Sequence, residues 1–139
     1  MKNILKNTFY DFLKCGITGW CIEILFTALQ ALKNHDMTLT GQTSVWMFPI
    51  YGCAFLIAPL SRCINKHSFL LRGIIYMLMI FLVEFLSGLL LTRLQVCPWD
   101  YSGCRFNIAS VIRLDYAPYW FATGLLFEFL LRPKTLPNK

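Results

Sequence analysis

Three carboxylates, Glu23, Glu84 and Glu128, stand inside apolar stretches of this 139-residue chain. A charged side chain at the centre of a bilayer costs about 2.5–3.5 kcal/mol on insertion scales, so such residues face a protein interior or a water-filled cavity. Helical spacing supports that placement. Gly16, Gly19, Glu23, Thr27 and Gln30 share one helix face, Gly73, Met77, Glu84, Ser87, Gly88 and Leu91 a second, and Ala117, Phe121, Gly124 and Glu128 a third. Small residues on a face let helices approach closely, so the polar faces are also the packing faces. Glu23 and Glu84 fall near the middle of their stretches and read in two ways. They are ligands or carriers for a cation, a proton or a polar molecule, or they are neutral carboxyls bonded to a neighbouring helix. They are also the two candidates for holding a metal, whose identity the sequence does not name. Thr27 and Ser87 follow them by about one turn and could add hydroxyls to the same site. Glu128 lies one turn before Arg132 and reads either as a further ligand or as a snorkelling ion pair.

A second constellation is the polar loop Cys97-Pro-Trp-Asp-Tyr-Ser-Gly-Cys104. Trp99, Asp100 and Tyr101 could contact a ligand at the mouth of a site, while Asp100 before Tyr101 and Ser102 also suits an Asx turn. Cys97 and Cys104 either pair or remain free thiols; a bridge requires Cα atoms within about 7 Å. Tyr51 with Pro49 suggests a kink beside the cavity. Among the six cysteines no CxxC spacing occurs, and the two histidines, His35 and His67, fall in loops on opposite sides. No Gly-rich phosphate loop or nucleophile elbow is present. The reading leans away from an enzyme and leaves any cofactor unnamed.

The elements that must hold these residues follow from composition. The chain is 57% hydrophobic and 14% charged, with a mean hydropathy of +0.55. Soluble domains carry about 25% charge, so here lipid must be the solvent for much of the exterior. Four apolar segments approach the about 20 residues that a spanning helix needs: 15–32, 45–60, 73–92 and 116–131. The expected fold is all-α, a four-helix transmembrane bundle over residues 15–132 with a short tail at 133–139. Residues 1–14 repeat apolar positions at helical spacing and read as an interfacial amphipathic helix or as an extension of the first span. Their interruption by Asp11, with no small-residue cleavage site following, argues for a retained anchor rather than a signal peptide. Nine of the 13 Lys and Arg fall at the N-terminus, in the middle loop and at the C-terminus, against four in the other two loops. The positive-inside rule therefore puts both termini in the cytoplasm. The net charge of +6 belongs to this asymmetry and not to nucleic-acid binding, since no basic patch or binding motif accompanies it.

Gly41-Gln-Thr-Ser-Val-Trp46, Ile50-Tyr-Gly52, Glu84-Phe-Leu-Ser-Gly88, Cys97-Pro-Trp-Asp-Tyr-Ser102 and Asp115-Tyr-Ala-Pro-Tyr-Trp120 together resemble the transmembrane protein 229 family, grouped with ABC-transporter type IV (CmpB-like) proteins. The resemblance covers roughly residues 15–132 and includes Glu at positions 23, 84 and 128. Asp115 stands where it leads one to expect Glu, and Cys104 is not part of it. It implies the membrane architecture, and transport only through the family label. The leading expectation is a protein that binds or moves a small solute or ion through a carboxylate-lined site between helices, as a homo-oligomer or within a larger membrane complex. The alternatives are a scaffold or accessory subunit that binds lipid or a larger complex, and an intramembrane enzyme acting on a lipid.

Overall fold

The computed structural model describes residues 2–132, so the expected tail at 133–139 lies outside the described residues. Helix α1 runs unbroken from Lys2 to Lys33, 32 residues and about 48 Å at 1.5 Å per residue. Residues 2–14 and the segment that begins at Cys15 form one continuous helix. Phe12 binds the early part to the bundle through edge contacts with Phe48 and Phe55 at 6.0 and 6.4 Å.

The next helical segment, Met47–Ile64, has three parts: α2 (Met47–Gly52), a 3₁₀ turn (Cys53–Leu56) and α3 (Ile57–Ile64). Pro49 sits in the first turn of α2, where its missing N–H has no intrahelical partner to lose. The departure from α geometry comes directly after Tyr51 and Gly52, at Cys53–Leu56. Pro59 cannot donate to the carbonyl of Phe55, and the 3₁₀ geometry falls at that carbonyl. Helix α4 (Phe69–Arg93) starts at an N-cap, with the Ser68 hydroxyl accepting the N–H of Leu71 at 3.3 Å. Helix α5 (Ala117–Leu131) opens with Pro118 in its first turn.

Three helical stretches are long and apolar enough to cross a membrane: Ile4–Lys33, Met47–Ile64 and Phe69–Arg93. The chain is a membrane protein. At 15 residues, α5 spans about 22 Å and is shorter than those three. On α4, Leu78, Leu82, Leu86 and Leu90 form an i, i+4 stripe, each more than half exposed. Such a stripe would be a liability in water and is an ordinary surface in lipid.

The 97–116 loop carries structure that the all-α expectation lacks. Strands β1 (Asn107–Ile108) and β2 (Ile112–Arg113) pair antiparallel, with Ile108 opposite Ile112. Ala109 (φ 51°) and Ser110 (φ 59°) make the turn in left-handed geometry, while the Asn107 side chain accepts the N–H of Ser110 at 3.2 Å. Two residues per strand are too few to leave an alternation pattern. Val111, 2% exposed, plugs the turn into the bundle. It fits because Gly88 has no side chain there; a Cβ would lie 2.7 Å from that of Val111.

The core is built from Cys15, Ala54, Ile57, Tyr76 and Phe127, one each from α1, the 3₁₀ turn, α3, α4 and α5. At one end of the bundle the Lys14 ammonium donates to the carbonyl of Leu130. Glu128 joins Arg72 at 3.3 Å and Arg132 at 3.5 Å nearby. At the other end Gln30 meets Tyr116, and the two loops 34–46 and 97–116 gather.

Candidate functional site

Glu23 and Glu84 line one cavity of about 360 Å³. It lies between α1, α2, α4 and α5 at the end covered by the two loops, and how each wall is held can be traced from the sequence.

The α1 wall depends on Thr27. Its hydroxyl lies 2.9 Å from the Glu23 carbonyl and 3.1 Å from that of Gln42, and accepts the Gln42 N–H at 2.8 Å. One side chain thus latches the 34–46 loop onto the helix. Gly41 presses directly on the Ile24 carbonyl, where a Cβ would collide. Trp20 donates its indole N–H to the Ser44 carbonyl at 3.0 Å. The latch carries Thr43 to Glu23, where the Thr43 hydroxyl donates to Oε2 at 2.9 Å. Gln42 and Ser44 also reach the cavity.

On the facing wall, Glu84 is only 8% exposed, and its Oε2 accepts the indole N–H of Trp120 from α5 at 3.2 Å. Tyr51 of α2 completes the floor. Its ring packs so closely on Gly19 that a Cβ there would overlap it, which is the use of that glycine on the α1 face. Below, a smaller apolar cavity of about 50 Å³ shares Glu84, Tyr51 and Trp120 with the first and extends toward Phe127.

Aromatic rings close the loop end. Phe26 packs edge-on against Tyr116 and Tyr119 at 5.4 and 5.2 Å, and Tyr116 against Tyr101 at 5.9 Å. Trp99 is fixed by its N–H to the Val111 carbonyl at 3.0 Å. Burial, with lesser contributions from Glu84, Tyr116 and Glu23, pushes the Tyr101 phenol above its ordinary range, so its O–H remains a donor. Tyr116 receives hydrogen bonds at 3.1 Å from both Gln30 and Arg113. Arg113 lies behind that ring, 4.6 Å from its centroid, and is gripped by Asp115 at 2.7–3.0 Å. That hydrogen-bonded pair holds the Asp115 carboxyl below its usual range and pushes the guanidinium up. The cation nearest the rings is therefore already neutralised, and among the described residues no Lys, Arg or His lines the cavity.

The remaining candidates fall elsewhere. Ser87 donates to the Val83 carbonyl of its own helix at 2.7 Å and does not line the cavity. Asp100 forms the Asx turn, accepting the N–H and hydroxyl of Ser102 at 2.9 and 3.0 Å, also away from the cavity. Glu128 is tied to Arg72 and Arg132 at the opposite end. Cys97 and Cys104 are free thiols, with Cys97 directed at the Trp99 carbonyl at 3.2 Å. Among the described residues no three His, Cys, Asp or Glu gather as a metal site, so Glu23 and Glu84 are the carboxylates that the cavity could offer a metal.

With this geometry in place, comparison with known families gives a match over residues 10–137 to the family described as Putative ABC-transporter type IV. The chain belongs to that family. No solved structure matches the chain. The family match takes in α1 from Tyr10 onward, the whole of α2 to α5 and both loops, so every cavity wall lies inside it.

Sequence reasoning missed Gln42, Thr43, Phe26, Tyr119 and Trp120 as parts of the site. Trp120 reads as an interfacial belt residue by position, and nothing local couples it to Glu84, 36 residues earlier. The signal for Gln42 and Thr43 was the Gly41-Gln-Thr-Ser run, polar residues following a glycine with no helical period.

Proposed function

We propose that the chain binds a small solute or ion in the cavity between its helices and, as a member of an ABC-transporter-like family, takes part in its passage across the membrane. The observation that carries this reading is the shared cavity: two acidic side chains from different helices, distant in sequence, face one space of about 360 Å³. Pockets of about 300–1,000 Å³ are the usual size for small-molecule sites. Burying Glu84 without a cationic partner is costly unless the site has a use for it. Glu23 and Glu84 act as the charged ligands, Thr27 and Tyr51 shape the wall, and Trp99 and Tyr101 shape the mouth. Glu128, Ser87 and Asp100 serve structure in this reading.

The membrane setting is four spans with both termini cytoplasmic, within the transmembrane protein 229 group of the family. The contact between Lys14 and Leu130 supports it by putting early α1 and late α5 at the same end, along with Arg72 and Arg132. Packing of α5 on α4 through Gly73 against Phe121 and Gly124 against Tyr76 supports a fourth span despite its length. An assembly of several copies would bury the remaining lipid-facing surface.

The test is thermal unfolding in detergent across pH and across sodium, calcium and magnesium, for wild type, Glu84→Gln and Glu84→Leu. The Gln variant retains shape and hydrogen bonding, so it should fold while losing the ion- or pH-dependent stabilisation of wild type. The Leu variant should destabilise the bundle. A Gln variant that keeps every wild-type response makes the carboxylate structural and favours a scaffold protein.

A further inference from the structure

Resting on the cavity reading above, we infer that the ligand class is an organic cation, an alkylated ammonium ion of about the size of choline. Seven of the sixteen residues lining the cavity are aromatic and two are carboxylates, while none is basic. Charge favours a positive ligand: Glu23 and Glu84 share the space, and Arg113 beside it is committed to Asp115. The rings decide what kind of cation.

A metal ion gives up its water only to a dense set of oxygen ligands, six or more for calcium. The cavity offers two carboxylates, and each already has one oxygen committed, Glu23 to Thr43 and Glu84 to Trp120. Half of the remaining lining residues are aromatic. An alkylated ammonium has the opposite needs. It is weakly hydrated, its apolar substituents gain from contact with ring surface, and its spread charge is attracted to aromatic faces within about 6 Å of the ring centroid. Rigid rings suit such a ligand only if they are fixed beforehand, and here they are. Trp99 is held by the Val111 carbonyl, Trp120 by Glu84, and Tyr116 by Gln30 and Arg113. A neutral ligand such as a sugar could also stack on these rings, but it would make no use of the paired acidic groups.

The test is isothermal titration of the full chain in detergent with choline chloride, with 3,3-dimethyl-1-butanol and with calcium chloride. The alcohol copies the shape of choline with carbon in place of the charged nitrogen. The inference predicts that choline binds at least about tenfold more tightly than the alcohol, the difference of one strong cation–π or ion pair. It also predicts that Glu84→Gln removes this preference. Tyr119→Leu should weaken choline several-fold while Tyr119→Phe, which keeps the ring, should not; Tyr119 makes no hydrogen bond that the fold needs. Equal or tighter binding of the alcohol overturns the organic-cation inference but leaves the cavity a ligand site. Calcium binding that requires Glu84, with no binding of choline, overturns it in favour of an inorganic ion. If no probe gives a response that depends on Glu84, the inference and the cavity reading fall together.

Discussion

The indole N–H of Trp120 donates to Oε2 of Glu84 at 3.2 Å, so one wall of the cavity is a hydrogen bond between α4 and α5. Glu84 is nearly buried, and this is its side chain's one partner among the described residues. Trp120→Phe keeps a ring in place but orphans the carboxylate. It should cost about 1–3 kcal/mol, the usual penalty for a buried group left without its hydrogen bond. In thermal unfolding, Trp120→Phe combined with Glu84→Leu should lose less than the two single changes added together, because the second removes the group that the first strands. Strict additivity would mean that the bond contributes nothing.

Gly19 is where α1 accepts Tyr51. A Val side chain there must push the ring off the helix, and overpacking of this kind costs about 1–3 kcal/mol. Gly103, by contrast, has open space around it. Gly103→Ala should leave the melting temperature unchanged, whereas Gly19→Val should lower it and alter the cavity floor. Equal effects at both glycines would contradict the packing described for α1 and α2.

The Arg113–Asp115 pair sets a pH dependence at the loop end of the bundle. Hydrogen bonds from Arg113 lower the folded-state pKa of Asp115 below its unfolded value, which is about 3.9. The pair's contribution to stability is therefore complete above the unfolded value and is lost as pH falls through the folded one. Melting temperatures taken from pH 5 downward should fall more for wild type than for Asp115→Asn, with the difference opening only below about pH 4. Parallel curves would show that the pair does not hold the loop.

Orientation can be read with reporter fusions. A reporter placed after Lys66 and one at the C-terminus should both report the cytoplasm, and one placed after Gly103 the opposite side. Export of the first with retention of the second would mean that either Met47–Ile64 or α5 does not cross.

The helices were legible because lipid-facing segments need length and apolarity, which composition displays directly. Glu23 and Glu84 were legible because a carboxylate in such a segment is conspicuous, and the glycines on their faces marked where neighbours approach. The extent of α5 was legible almost to the residue, 116–131 against Ala117–Leu131, because Pro118 and the 3₁₀ turn at Leu114–Tyr116 mark its start. The hairpin was invisible because strand pairing of two residues leaves no period, and its stability comes from Val111 fitting against Gly88. The aromatic lining was visible as residues but not as a site. Phe26 and Tyr119 come from helices far apart in sequence, and only the antiparallel packing of α1 and α5 brings them to 5.2 Å.

The most direct test of one site built from two carboxylates is a double-mutant cycle on ligand binding. Choline and calcium titrations would be run calorimetrically on wild type, Glu23→Gln, Glu84→Gln and the double variant. If both side chains face one bound cation, each single change should weaken the wild type's preferred cation by about tenfold or more, and the double change should fall short of the product of the two. Independent, multiplicative losses, or single variants that bind as wild type does, would contradict a shared site between α1 and α4.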